Sequence, residues 1–205
     1  MSRFTIIVAA TKSNGIGANA RLPWRLPKEM KYFAKVTSNA PEGRQNVVIM
    51  GRNTWESIPT KHRPLAKRVN AVISRNKNYD LGTADESVVL KDNLTSALSL
   101  LGSSTSLDRG FIIGGATLYT ESLALPLSST KPSVDRILLT RILTPEFNEC
   151  DVFMPDFQKE DSTDEIKWAR SPHAALQEWV GFEVPEGEQE ENGVKYEFQM
   201  WVRVV

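Results

Sequence analysis

Five short runs along the chain are apolar on both faces instead of alternating: residues 4–10, 46–50, 69–73, 111–113 and 137–142. Strands of that kind are covered on both sides, which predicts a mainly parallel sheet flanked by helices. The helices fall between them. Residues 27–37 start with Pro27 at a favoured early position and carry Met30, Phe33, Ala34 and Thr37 on one face. Residues 52–58 form a short helix stopped by Pro59. Residues 93–101 combine the capping residue Asn93 with Leu94, Ala97, Leu98 and Leu101 at helical spacing, and Gly102 is the expected stop. Residues 116–125 follow a double glycine and end before Pro126. Alternation of strands and helices places the chain in the α/β class. The C-terminal stretch reads differently. Val194, Tyr196, Phe198, Met200, Val202 and Val204 alternate with mostly polar residues, the mark of a half-buried antiparallel strand. Residues 182–184 are expected to pair with it across a loop rich in Gly and Glu. In that loop Glu183, Glu186, Glu188, Glu190 and Glu191 read as a solvated cluster.

At 205 residues the chain is expected to fold as one domain with a substantial core. Lys plus Arg and Asp plus Glu balance at 25 each, so no global field directs it to nucleic acid or to a membrane surface. Cys150 is the only cysteine, which excludes an intrachain disulfide and a thiolate metal cluster and suits a reducing compartment. His62 and His173 lack the spacing of a metal site or a triad, so no metal is expected. The first apolar run is too short for a signal sequence, and no stretch approaches the ~20 apolar residues that cross a bilayer. A cytoplasmic enzyme is the expectation. Asn93-Leu94-Thr95 matches a glycosylation sequon and is read as a chance match.

The candidate chemistry lies at strand ends. Asn14-Gly15-Ile16-Gly17-Ala18-Asn19-Ala20-Arg21-Leu22-Pro23-Trp24 follows the first strand. Its Gly15-x-Gly17-x-x-Ala20 spacing formally matches a dinucleotide fingerprint, but Pro23 biases Leu22 to extended geometry where that motif needs a helix. A turn that also closes over a ligand is the competing reading. Glu29, five residues after Trp24, is either a first-turn acid favoured by the helix dipole or a buried carboxylate in a pocket for a flat heterocycle. Thr140 is either a β-favouring residue or the partner of such an acid. Gly114-Gly115 joins a strand to a helix N-terminus, where free amides favour an anion; a plain tight turn explains it as well. Gly51-Arg52-Asn53-Thr54 and Ser74-Arg75-Asn76 each follow a strand, and in a parallel sheet both fall at the carboxyl edge where α/β proteins bind ligands. Arginines there suit a phosphate in forked geometry. Lys61, Arg63, Lys67 and Arg68 cluster around His62 and Pro64, read as a solvated loop in which one member holds a carboxylate.

In order and spacing these residues resemble dihydrofolate reductase across nearly the whole chain. The matching stretches are Ile7-Val8-Ala9, Gly15-Ile16-Gly17, Leu22-Pro23-Trp24, Glu29 with Tyr32-Phe33, and residues 48–59 from Val48 to Pro59. Arg63-Pro64-Leu65, Arg68, Ile113-Gly114-Gly115, Tyr119 and Thr140-Arg141-Ile142 complete them. The C-terminal part, with Trp179-Val180-Gly181 and Tyr196-Glu197-Phe198, looks like the longer fungal form. The resemblance implies a single domain over 1–205, with an adenosine-binding subdomain at about 39–105 and a central sheet of about eight strands. It implies hydride transfer from NADPH to 7,8-dihydrofolate in a monomer that antifolate-type inhibitors also bind.

The resemblance also assigns roles. Glu29, Trp24, Leu22 and Thr140 would carry the chemistry, with Glu29 gripping the pterin, Thr140 holding Glu29 and Trp24 holding an ordered water. Ile7, Val8, Ala9, Met30, Phe33, Ile58, Leu65, Ile113 and Tyr119 would line the substrate, and Arg68 would fork its glutamate carboxylate. Ala9, Ile16, Gly17, Asn53, Asn76, a cis Gly114–Gly115 peptide, Ala116, Thr117, Leu118 and Tyr119 would meet the cofactor. Arg52, Thr54, Ser74 and Arg75 would face its 2′-phosphate. Arg21, Met30, Asn53 and Asp92 depart from familiar patterns of the family. A riboflavin-pathway reductase of the same fold would lack the Glu29 and Arg68 pair, and a silent binding module would have no need of Glu29, Trp24 and the double glycine together.

Overall fold

The computed structural model describes residues 2–128, 130–158 and 167–204. The chain divides into two compact units, Met1–Thr5 with Thr37–Val134, and Ile6–Val36 with Asp135–Val205. The elements in chain order begin with β1 (Arg3–Thr11), β2 (Gly15–Gly17), α1 (Pro27–Ser38), β3 (Gln45–Gly51) and α2 (Arg52–Ser57). There follow β4 (Arg68–Ile73), β5 (Val88–Lys91), α3 (Leu94–Ser103), β6 (Leu107–Gly114) and α4 (Ala116–Leu123). The rest are β7 (Ser133–Thr144), β8 (Val152–Phe153), β9 (Lys167–Arg170), α5 (His173–Val180), β10 (Gln189–Glu191) and β11 (Val194–Val204).

In the first unit four strands run parallel in the order β6-β3-β4-β5. The two-faced apolar runs explain why. Val47, Val48, Ile49 and Met50 of β3, Phe111 and Ile112 of β6, and Ala71 and Val72 of β4 are all buried. Two asparagines interrupt this apolar core, and both are satisfied. Asn46 Nδ2 donates to the carbonyls of Thr37 and Asn39 at 3.0 and 3.1 Å, and its Oδ1 accepts from the Arg109 amide at 3.0 Å. Asn70 bonds both the amide and the carbonyl of Leu65, at 2.9 and 3.0 Å, and so shapes the loop that leads into Arg68. At Gly110 the Phe4 ring occupies the place a Cβ would take. Helix α3 opens on a capping box between Asn93 and Ser96, as its sequence predicts. It runs through Gly102 to Ser103, because Gly102 does not take the left-handed conformation that would end it.

In the second unit the strand order is β10-β11-β7-β1. The alternating C-terminal strand β11 is antiparallel to β7, β9 and β10. Its inward residues Val194, Tyr196, Phe198 and Met200 are buried, and the Phe198 ring lies 4.2 Å from that of Tyr32 on α1. The expected α/β class, mainly parallel strands and antiparallel C-terminal strand are thus all present. One pairing differs from expectation. Residues 189–191, not 182–184, pair with β11, because Val184 is taken up elsewhere: its amide is bonded by Gln177 Oε1 at 2.9 Å and its carbonyl lies 2.8 Å from His173 Nε2. Helix α5 ends on Gly181, whose φ of 79° only glycine adopts readily.

Candidate active site

The candidate residues fall in both units. In the second, β1 delivers the chain to a turn in which Asn14 has a φ of 64° and the Gly15 amide donates to Thr11 Oγ1 at 2.9 Å. Strand β2, with Ile16 and Gly17, pairs with β8. Ala18 and Arg21 then close a hairpin turn over Asn19 and Ala20, both with positive φ. No helix starts inside the glycine motif, so it is a turn and not a dinucleotide fingerprint. The segment after Cys150 secures it. Asp151 donates its amide to the Gly17 carbonyl at 3.0 Å and accepts from the Asn19 amide at 3.0 Å, and Met154 donates to the Asn14 carbonyl at 2.9 Å. Arg141, from the stretch Thr140-Arg141-Ile142, braces the same turn by donating to Thr11 O and Asn14 Oδ1 at 2.5 and 3.0 Å.

Beyond the turn lies a pocket of about 250 Å³, lined by Leu22, Trp24, Leu26, Glu29 and Met30 among others. Trp24 is buried against the edge of Phe147, with ring centroids 5.3 Å apart. Its Nε1–H is buried and has no hydrogen-bond partner among the described residues. Glu29 is 6% exposed, and Thr140 Oγ1 donates to its Oε1 at 2.9 Å. Glu29 is the acid of the first turn of α1, and it is also a buried carboxylate in the pocket. Burial raises its pKa to about 7; the Thr140 bond opposes that rise and the charge of Glu191 adds to it. The buried residues of α1 are Glu29, Tyr32, Val36 and Thr37, the last of them expected on that face. Met30, expected on the apolar face, is 47% exposed and lines the pocket beside the acid. Phe33 is half-buried, as is Ala9 at the end of β1, where Ile7 and Val8 are buried.

In the first unit the parallel register brings three strand ends to one edge. Met50 pairs with Gly114 and Gly51 with Ile73, so the segments beginning at Gly51, Ser74 and Gly115 are neighbours. The Gly114–Gly115 peptide is cis. A Cβ on Gly114, whose φ is 120°, would sit 3.2 Å from Tyr119 Oη, and one on Gly115 would sit 3.5 Å from Thr54 Oγ1. Helix α4 starts at Gly115 with no side-chain cap, and Ala116, Thr117, Leu118 and Tyr119 form its first turn. Arg52, Asn53, Arg75 and Asn76 are exposed along the same edge. Arg52 Nε is 3.8 Å from Glu56, a weak tie. Ser74 is buried and accepts from the Asn76 amide at 3.2 Å. Asp92 is occupied by Ser96, whose hydroxyl donates to it at 2.7 Å at the start of α3.

Ile58 caps the end of α2 and Leu65 follows the cis-Pro64, both half-buried, and Ile113 is half-buried near the end of β6. The basic cluster separates into different environments. Arg63 donates to the Trp55 carbonyl at 3.0 Å and stacks on its ring, whereas Lys61, His62 and Lys67 are exposed. Arg68 is 6% exposed; its Nε donates to Ala66 O at 2.9 Å and its Nη1 to Thr37 Oγ1 at 2.6 Å. Three of its five N–H groups remain for the side-by-side grip a carboxylate accepts.

The residues fit a dinucleotide: an uncapped helix start beside two glycines, the first held at a φ of 120°, with two hydroxyls and two exposed arginines, is a set of groups that hold phosphates. The likeness to known proteins agrees. The profile of the family described as dihydrofolate reductase matches residues 3–203. The dihydrofolate reductase of Cryptococcus neoformans is 50% identical over 219 residues, covering 97% of this chain and 93% of that protein. That of Pneumocystis carinii is 43% identical, covering 97% and 96%. The solved structure of Schistosoma mansoni dihydrofolate reductase superposes with a TM-score of 0.74 at 32% identity over 98% of each chain. With a buried carboxylate in its pocket and a family match over nearly its whole length, the chain belongs to the dihydrofolate reductase family.

Proposed function

We propose that this chain reduces 7,8-dihydrofolate to 5,6,7,8-tetrahydrofolate with NADPH, and that Glu29 is the acid on which the reaction turns. Family membership carries the reduction of dihydrofolate and the use of a nicotinamide cofactor. NADPH as that cofactor, the residue roles, the adenosine-binding subdomain near 39–105, the monomeric state, antifolate binding and a cytoplasmic location are our reading.

A nicotinamide cofactor, when held at this site, would supply the hydride for pterin C6. All else falls to the chain's own groups. Glu29 presents two oxygens to the paired donors of the pterin 2-amino and N3 positions, while Thr140 fixes its orientation from β7. Leu22, Met30 and Phe33 supply apolar walls, and Trp24 Nε1–H is a buried donor suited to an ordered water. Such a water relays a proton to N5, which Glu29 does not touch. The reaction consumes one proton, so the rate is expected to fall as pH rises past the pKa of Glu29. Arg68 grips the glutamate carboxylate. Arg52, Thr54, Ser74 and Arg75 bind the 2′-phosphate, and Gly114-Gly115 with the first turn of α4 holds the dinucleotide close to the backbone.

The single observation that carries this reading is the buried Glu29 closed upon by Thr140. Its test is the fall in absorbance at 340 nm with dihydrofolate and NADPH. Glu29→Gln is expected to lower turnover at neutral pH by about 10²-fold or more, with NADPH affinity nearly unchanged. Near-normal turnover in that variant removes Glu29 from its role.

A further inference from the structure

The residue before the first turn of helix α1, Leu26, is apolar and buried, so it has no side-chain oxygen with which to cap the helix. First-turn amides still need acceptors. One acceptor comes from a residue 163 positions away, since both carboxylate oxygens of Glu191 accept from the Lys28 amide, at 3.0 and 2.8 Å. Its neighbour Asn192 donates from Nδ2 to the Arg25 carbonyl at 2.8 Å. Two consecutive residues of the β10–β11 hairpin therefore grip the chain on either side of Pro27.

The hairpin is well built for this. Glu191 pairs with Val194 across Asn192 and Gly193, whose φ values of 53° and 75° suit a tight two-residue turn. From that turn β11 continues along β7 in a register that sets Phe198 opposite Thr140. Thr140 in turn bonds Glu29, one residue beyond the amide that Glu191 holds. Contacts thus run in a closed circuit from hairpin to helix start to acid to β7 and back through β11.

We infer that Glu191, supported by Asn192, is a positioning residue for Glu29, fixing the first turn of α1 and placing a second negative charge beside the acid. This rests on the reading of Glu29 as the acid of the reaction. The groups around Glu29 are Thr140 from β7, Tyr196 from β11, Tyr32 and Lys28 from its own helix, Arg25 from the pocket wall, and Glu191 from β10. Both tyrosines stay neutral, because burial raises them further above the range in which they ionise. Glu191 is the anion in this set, and its charge disfavours ionisation of Glu29.

The experiment follows the Glu29 carboxyl by ¹³C NMR titration in the ligand-free protein, alongside the pH profile of turnover. Glu191→Gln keeps the shape and loses the charge, and the Glu29 midpoint is expected to move down by on the order of half a pH unit. The pH at which turnover declines should move with it. Glu188→Gln is the control, because Glu188 pairs with Lys195 at 2.7 Å on the same hairpin; it leaves both readouts in place. Equal midpoints in the two variants overturn the proposal. Asn192→Ala loosens the grip without altering charge, and kcat is expected to fall several-fold with the midpoint unmoved; an unchanged kcat also counts against positioning. Glu29→Gln keeps the two readings distinguishable: full turnover there removes the acid itself, whereas lost turnover with an unmoved midpoint in Glu191→Gln refutes the hairpin's role alone.

Discussion

A carboxyl group taken out of water holds its proton to higher pH, and at Glu29 that effect outweighs the Thr140 bond that favours the anion. The stability consequence has a definite sign. The folded acid titrates near 7 and its unfolded form near 4.5, so its contribution to stability is fully present below about 4.5 and is lost as pH rises through 7. Glu29→Gln does not ionise. The stability of the parent protein relative to this variant is therefore expected to fall by roughly 2–3 kcal/mol between pH 5 and pH 8. Urea unfolding of both proteins at the two pH values checks it; a constant difference means that Glu29 titrates as an ordinary surface acid. From its local sequence, between Lys28 and Met30 in a first helical turn, the residue allowed both a dipole-favoured acid and a buried one, and nothing local chose between them. Its partner lies 111 residues away on β7, and no local pattern connects the two.

At the scale of elements, periodicity located the central strands and helices α1 to α4, but on α1 it chose Met30, Phe33 and Ala34 for the inward face where Glu29, Tyr32 and Val36 are buried. Short elements escaped it. β5 has only the three apolar residues Val88, Val89 and Leu90, all half-buried, and β9 has only half-buried or exposed residues, so neither has the buried run that marks a central strand. The turn that joins β10 to β11 looked like solvated acid-rich loop, yet Glu191 and Asn192 anchor α1. The carboxyl edge of the first unit was better foreseen. Parallel register places Arg52 and Arg75 after neighbouring strands, the first with a 3.8 Å contact to Glu56 and its guanidinium 5.9 Å from the centre of the Tyr79 ring. Replacing both by Ala is expected to weaken NADPH binding at least tenfold while changing NADH binding little, since charge-assisted bonds to phosphate contribute about 1.5–3 kcal/mol each. Fluorescence titration with the two cofactors decides it; equal losses count against a phosphate contact.

For the whole molecule, the exposed large hydrophobic residues among those described are Leu22, Met30, Val152, Phe153 and Val204. The first two line the pocket, and Val152 and Phe153 form β8. On the proposed monomeric reading, light scattering is expected to give a mass near 23.0 kDa, and twice that value would overturn it. The amino-acid order alone determined the fold class, the main strands and helices, and the family, because apolar periodicity and motif spacing are properties of neighbouring residues. It also placed the double glycine and the arginines at strand ends, since the chain direction in a parallel sheet puts every such end on one edge. Tertiary structure decided the rest: that Glu29 is buried, that Thr140 closes on it, that Arg63 stacks while Arg68 is fixed with part of its fork to spare, and that Glu191 reaches the start of α1. Each of these depends on desolvation or on a hydrogen bond between residues far apart in the chain, and such energies exist only once the backbone has brought the partners together.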